Sequence, residues 1–199
     1  DQKSTIDGML ETYGDDPPAV DSRYGLAAQR DGDRGRAKKL EGKPLPVTVF
    51  EKASGGKLDV AAFRGDKAVL LIVLRGYASR VCVYCFEQMI AYKRSELLER
   101  WRGQVEILVV YPGPREGLDA FRRQFEKEPD FALPDFPVLY DPNLALTKAL
   151  DIVDEQAIPT TLIIDRDGVV RFAYVGESIE DRPSSKLLDR QLQRHVEKR

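Results

Sequence analysis

Hydrophobic positions along the chain fall into two kinds of run. Residues 68–74 (AVLLIVL) and 105–111 (VEILVVY) are short, apolar and almost unbroken. A strand covered on both faces reads this way, as in a parallel sheet flanked by helices. The second kind is spaced for a helix. Phe86, Met89, Ile90, Leu97 and Trp101 fall on one stripe with Lys93 as its gap, predicting a helix leading out of Phe86 to Trp101 that Gly103 closes. Strand, helix and strand over this length make a βαβ unit, whose crossover is expected to be right-handed.

The remaining elements follow from position 45 onward. Residues 47–52 read as a strand, Ser54-Gly55-Gly56 as a turn, and residues 57–58 as the return pairing. Asp59 is placed to cap a short helical turn over 60–63, ended by Gly65. Leu118, Phe121 and Phe125 predict a helix over 115–128, and the three prolines of 129–137 predict a loop. After a short strand at 137–140, Asp141 and Pro142 form an N-cap with proline at the first helical position, opening a helix to Leu150. Residues 160–165 and 169–175 read as strands joined at Asp167-Gly168, a strong hairpin signal. Pro183 precedes a last helix with Leu187, Leu188, Leu192 and Val196 on one face. No internal repeat and no low-complexity segment interrupts the pattern.

Residues 1–44 show no such order. Short helical possibilities at 4–12 and 23–29 mix with the turn-rich GDDPPAV, and a basic run follows with Arg30, Arg34, Arg36, Lys38, Lys39 and Lys43. This stretch is expected to be a solvated arm or a first set of helices packed on the main domain. A docking surface for an acidic partner is the sharper alternative.

Composition narrows the class. At 199 residues and 42% hydrophobic, the chain can bury the core of one domain with additions. Lys+Arg 31 against Asp+Glu 33 gives a net charge of -2, without the basic excess that would suggest nucleic acid. No apolar run approaches the roughly 18 residues that a membrane helix needs. The chain opens at Asp1, which removal of a secretory signal would produce, as would trimming of a longer chain. A periplasmic or other extracytoplasmic location is the expectation, with the cytoplasm as the alternative.

The chemistry concentrates in RGYASRVCVYC, residues 75–85, which holds both cysteines, Cys82 and Cys85. A strand that delivers a Cys-x-x-Cys pair to the start of a helix points to a thiol–disulfide redox site. Backbone N–H groups and the dipole at a helix N-terminus favour a thiolate, so Cys82, at the predicted helix start, is the expected nucleophile. Arg75 and Arg80 lie close in sequence and could add positive potential. Cys85, nearly one turn on and level with the apolar stripe, is the expected buried partner that resolves a mixed disulfide. A purely structural bridge would close too short a loop to stabilise much. A zinc site needs about four ligands, and His195 is the only histidine, so no metal and no cofactor is expected. Ile158-Pro159-Thr160-Thr161 precedes the strand LIID. Proline is tolerated at the first residue of any strand, whereas a cis bond there would expose the neighbouring carbonyl and N–H groups to a partner peptide. Ile158, Pro159 and Thr160 are therefore candidate substrate-binding residues.

In order and spacing, VLLIVLRGYASRVCVYC, ILVVYPG, FPVLYDPNLALTKAL and IPTTLIIDRDGVVRFAYVG resemble the thioredoxin-like superfamily. The branch is the redoxin group, which holds the alkyl hydroperoxide reductase/thiol-specific antioxidant proteins and related exported thiol–disulfide interchange proteins. The resemblance covers about residues 45–199. It implies an α/β thioredoxin fold, with a central mixed sheet between helices, an N-terminal extension over 1–44 and a β-hairpin. It also implies Cys82 as nucleophile, Cys85 as resolving thiol and Pro159 as a cis-proline facing the pair. Peroxidases of the group place Thr or Ser three residues before the reactive cysteine and Pro four before that; here Ser79 fits and Arg75 departs. They also carry an Arg where Pro159 stands, as it does in the disulfide-exchanging members. Val81 replaces a frequent Trp, and Val83-Tyr84 lack the usual Pro, which leaves the redox poise open. The implied function is a thiol–disulfide oxidoreductase acting on protein or small disulfides and dithiols, within cell redox homeostasis. A peroxiredoxin-type antioxidant peroxidase and a non-catalytic interaction module are the alternatives.

Overall fold

A computed structural model of the chain describes residues 32–76, 82–126 and 137–196, without the side chains of residues 83, 94 and 124–126. Ser79, Arg80 and Val81, most of the amino-terminal stretch and the proline-rich 129–136 lie outside the described residues.

Seven strands form one mixed sheet. They are β1 (Val49–Lys52), β2 (Lys57–Asp59), β3 (Ala68–Val73), β4 (Val105–Pro112), β5 (Val138–Asp141), β6 (Thr160–Ile164) and β7 (Val170–Val175). Their spatial order is β2-β1-β5-β4-β3-β6-β7. The β3–β4 and β4–β5 pairs are parallel and the rest antiparallel. The helices are α1 (Arg34–Leu40), α2 (Val83–Arg94), α3 (Leu97–Arg100), α4 (Arg115–Glu126), α5 (Ala145–Ala149) and α6 (Ser185–His195).

The unbroken apolar run of β3 has a direct structural counterpart. Leu70, Ile72 and Leu74 enter one core with Cys85, Phe86, Met89, Trp101, Phe121 and Leu188. Val69, Leu71 and Val73 enter a second core with Phe50, Val60, Leu146 and Ile152. Successive side chains of a strand point to opposite faces, so a strand between two cores has no polar positions. Each such side chain contributes about 1.5–3 kcal/mol by leaving water. Trp101, 1% exposed, also donates its indole N–H to Asp189 and so ties α3 to α6.

Residues 32–43 are built onto the outer strand. Asp33 N donates to Val175 O, Gly42 N to Val170 O and Arg34 Nη1 to Ala173 O, while Ala37 is fully buried. This segment covers the edge of β7.

Two helix boundaries and one peptide isomer differ from expectation. The helix expected to run to Trp101 breaks at Ser95, whose hydroxyl bonds back to Tyr92 O at 2.9 Å and whose backbone is extended. A serine hydroxyl competing for a helix carbonyl loosens the last turn. The helix after β5 begins at Ala145, not at Pro142. Asp141 still caps it, accepting from Ala145 N and from Thr147 N and Oγ1, but across a tight turn with Leu144 at φ 56°. The third concerns Pro159: no peptide bond among the described residues is cis, so Ile158–Pro159 is trans. Pro159 stands immediately before β6, a position where proline costs the ladder nothing.

The strand ends that carry the site are held close together. Gly76 has φ +67°, and a Cβ built there would lie 2.1 Å from Pro112 O. Only glycine allows the chain leaving β3 to pass the end of β4 at this separation.

Candidate functional site

Cys82 is the N-cap of α2, as the pattern of the sequence predicts. Its Sγ accepts from Cys85 N at 3.3 Å, and its carbonyl accepts from Cys85 N and Phe86 N, so the first-turn N–H of Cys85 is shared between the sulfur and the carbonyl. Cys82 is 8% exposed and Cys85 is not exposed at all. Of the two, only Cys82 offers a partner any surface. Both are free thiols.

Arg182, in the loop between β7 and α6, reaches the pair at Cys85. Its Nη2 lies 3.9 Å from Cys85 Sγ. Its Nε donates to Gln88 Oε1 at 2.9 Å, and Nη1 donates to Ile179 O and Asp181 O, both at 2.9 Å. Gln88 passes the chain on through Nε2 to the Tyr92 hydroxyl, which donates to Pro183 O. Burial pushes the Tyr92 phenol up to about 12, so it stays neutral. Tyr84, between the two cysteines, bonds through its hydroxyl to Glu180 of the same loop. The loop Gly176–Pro183 is thus fastened to α2 by side chains along its length.

These neighbours bear on where the pair carries its charge. The Cys82 thiol is pushed up, because its S–H is donated to the Cys85 sulfur, because it is desolvated and because a negative Cys85 lies beside it. Burial alone would also raise Cys85. The Cys82 S–H, the Arg182 charge and the Arg75 backbone N–H outweigh it and bring Cys85 down to about 6. The pair therefore gives up its first proton more easily than its second, and the Arg182 guanidinium 3.9 Å from Cys85 Sγ favours the charge on the inner sulfur. The helix end favours a charge on Cys82; a full guanidinium charge and a neighbouring S–H donor favour one on Cys85.

The other residues singled out in the sequence fall as follows. The Arg75 guanidinium pairs with Glu155 at 3.1 Å, so what reaches Cys85 from Arg75 is its backbone N–H. Arg80 lies outside the described residues. Ile158 O accepts from Thr160 Oγ1 at 3.0 Å, and Pro159 O accepts from Gly176 N at 2.8 Å. These two carbonyls are spoken for within the chain, unlike the open edge that a cis bond was expected to present. Thr160 is buried. The loop preceding Pro159 and the loop carrying Arg182 meet there, at the same sheet end as the cysteines. His195 stands at the end of α6, with its pKa lowered by burial and with Glu41, Arg171 and Asp165 among its charged neighbours. Among the described residues no group of three or more His, Cys, Asp or Glu is placed to hold a metal, and no helix is long and apolar enough to cross a membrane.

The redoxin family model matches residues 40–190, which include both cysteines, Pro159 and Arg182. The chain belongs to the redoxin family. This redoxin therefore stands among proteins with thiol-based redox activity. No curated protein matches its sequence. Solved structures do. The reduced 2-Cys peroxiredoxin of Plasmodium vivax superposes with a TM-score of 0.64 at 19% identity, over 79% of this chain and 99% of that one. The Chlorobium tepidum protein described as the thiol:disulfide interchange protein DsbE gives 0.58 at 18% identity, over 78% and 97%. Peroxiredoxin Q of Xanthomonas campestris gives 0.56 at 16%, over 79% and 96%. At these identities the similarity establishes the thioredoxin fold of the redoxin.

Arg182, Gln88 and Glu180 are the residues that the sequence reading missed. Arg182 is separated from Cys85 by 97 positions and belongs to no periodic pattern. The available signal was topological: a loop leaving the strand paired with β6 must return beside the Pro159 end of the sheet.

Proposed function

We propose that this redoxin is a thiol–disulfide oxidoreductase that cycles Cys82 and Cys85 between dithiol and disulfide. The observation that carries the reading is the N-cap geometry: Cys82 Sγ at the mouth of α2 with slight exposure, and Cys85 buried one turn below with its sulfur next to Arg182. In the reducing direction, the Cys82 S–H proton passes to the Cys85 thiolate as Cys82 Sγ attacks a partner disulfide. One partner sulfur leaves and a mixed disulfide forms. Cys85 gives up that proton again beside Arg182 and attacks Cys82 Sγ, and the second partner sulfur leaves. The partner gains two electrons and two protons, one from the pair and one from solvent, and the pair is left as a disulfide.

Cys82→Ser is expected to reduce catalysed exchange by roughly a thousandfold or more, since no attacking sulfur remains. Cys85→Ser is expected to accumulate a mixed disulfide on Cys82, visible as a mass shift that dithiothreitol reverses. Full exchange activity in the Cys82→Ser protein would refute this reading; no exchange activity in the wild type, with Cys82→Ser changing nothing measurable, would favour a non-catalytic interaction module.

Peroxide reduction is the second reading, favoured by a buried guanidinium beside the pair and by Ser79 in the sequence. It requires Cys82 to attack a peroxide oxygen, leaving a sulfenic acid that Cys85 condenses with to release water. Rapid hydroperoxide consumption together with slow exchange on a protein disulfide would select it.

A further inference from the structure

Arg182 retains only 7% of its exposure. A buried guanidinium is strongly unfavourable unless an opposite charge or full hydrogen bonding compensates it. Three of its contacts are neutral: Ile179 O, Asp181 O and Gln88 Oε1. Among the described residues no carboxylate forms an ion pair with it. The adjacent Asp181 directs its side chain to the Tyr174 hydroxyl and to Glu177 N, and Glu180 binds Tyr84. The remaining contact, Cys85 Sγ, is the group that can carry a negative charge there, and only while it is reduced. As half of a disulfide the same sulfur is neutral.

We propose that Arg182 sets the direction of electron flow, by stabilising the reduced pair and so making the Cys82–Cys85 disulfide an oxidant whose substrates are proteins bearing a dithiol. The inference rests on the exchange reading and adds to it the substrate class. A thiolate of the partner attacks Cys82 Sγ, the more exposed sulfur. The Cys82–Cys85 bond breaks, and Cys85 leaves as a thiolate against Arg182. The partner's second thiol, losing its proton, attacks the partner sulfur of the mixed disulfide, and Cys82 leaves and takes up a proton. The partner loses two electrons and two protons. The pair gains two electrons and one proton, and the other proton goes to solvent. A more stable leaving thiolate leaves faster, and a disulfide whose reduced form is stabilised is a stronger oxidant.

Among the described residues, the groups whose charge or hydrogen bonds act on the two sulfurs come from three elements. The two cysteines act on each other from α2 and its cap, the Arg75 backbone N–H reaches Cys85 from the end of β3, and Arg182 comes from the β7–α6 loop, with Tyr92 joined to it through Gln88. Tyr92 stays neutral up to about 12. The proton count of the reduced pair thus changes near 6, where Cys85 titrates.

The test equilibrates the full chain with reduced and oxidised glutathione between pH 5 and 8 and reads the Cys82–Cys85 bond by alkylation mass shift. For the wild type, the apparent equilibrium constant for reduction is expected to be flat below about pH 6 and to rise about tenfold per pH unit above it. In Arg182→Gln the rise should start near the ordinary thiol value. The pair then becomes about tenfold harder to reduce at pH 7 and nearly a hundredfold at pH 8. Arg182→Lys keeps the charge and should recover most of the shift. If the wild type forms no reversible Cys82–Cys85 disulfide, the exchange reading fails and this inference with it. If the disulfide forms but Arg182→Gln matches the wild type, the role of Arg182 fails alone. Should Arg182→Gln not fold, the wild-type profile decides: a bend near pH 6 supports the inference and its absence overturns it.

Discussion

Two arginines at opposite ends of β7 meet different kinds of partner. Arg171 lies at the hairpin end, 32% exposed at its side chain, and its Nε donates to the buried carboxylate of Asp165. Asp165 is desolvated, yet Arg171 and the N–H groups of Val169 and Asp167 hold its carboxyl below the usual range. Arg182 lies at the cysteine end, more deeply buried, with carbonyls, an amide and a sulfur around it. The first arginine has its counter-charge permanently. The second, among the described residues, has one only when the dithiol is reduced. The comparison teaches that charge balance at one end of the sheet belongs to the fold, whereas at the other it belongs to the chemistry.

The largest effect that would test this contrast is on the permanent side. Asp165→Ala removes the carboxylate and the acceptor for two backbone N–H groups. It is expected to lower stability by about 2–3 kcal/mol, mostly from the unpaired donors, because the partly exposed ion pair contributes little. Urea denaturation should give the same loss for the reduced and the oxidised protein. A loss that depends on redox state would break the distinction between the two ends.

Arg182→Met should behave in the opposite way. At pH 7 the stability difference between reduced and oxidised protein is expected to shift by about 1.4 kcal/mol in favour of the oxidised form, the energy of a tenfold change. The sign follows from Cys85. Its folded-state value is depressed to about 6, so the stabilisation is present above the unfolded thiol value and is lost as pH falls toward 6. Parallel thermal melts of the two redox states at pH 5 and pH 8 measure it. The gap between wild type and variant should nearly close at pH 5.

Gln88→Leu sharpens the comparison at a smaller scale. It removes the acceptor for Arg182 Nε and the donor to Tyr92. A loss of about 1 kcal/mol is expected from these bonds, with a shift in glutathione equilibrium in the same direction as Arg182→Met but smaller. An unchanged equilibrium would mean that the guanidinium is held without Gln88.

The smallest effect belongs to His195, near Asp165 and Arg171. Burial lowers its pKa below 6.5, so its contribution is present above that value and is lost as pH falls through the lowered one. His195→Gln should flatten the stability profile between pH 5 and 7 by at most a few tenths of a kcal/mol. It should leave the redox equilibrium untouched.

Much of the framework was legible in the chain because its signals are local. The runs at 68–74 and 105–111 read as strands covered on both faces, since only Glu106, at the start of the second, interrupts them. Cys82 had to start a helix, since an apolar strand precedes it and a helical stripe follows. Where expectation and structure part, a competing local bond decided the outcome. The Ser95 hydroxyl ended α2 early, and the Asp141 carboxylate reached past a turn to cap a helix that begins at Ala145. At Pro159 the sequence permits either isomer, and the trans bond is seen in the folded chain.

By itself the sequence determined the order of strands and helices, the pairing of the two cysteines at a helix start and the redoxin membership. Each of these is written in neighbouring residues or in the spacing of apolar ones. Only the tertiary structure decided which charge stands behind the sulfurs. Strand order β3-β6-β7 brings Arg182 to Cys85 across 97 positions of the chain. Contact at that separation depends on which strands pair, and periodicity along the chain carries no record of it.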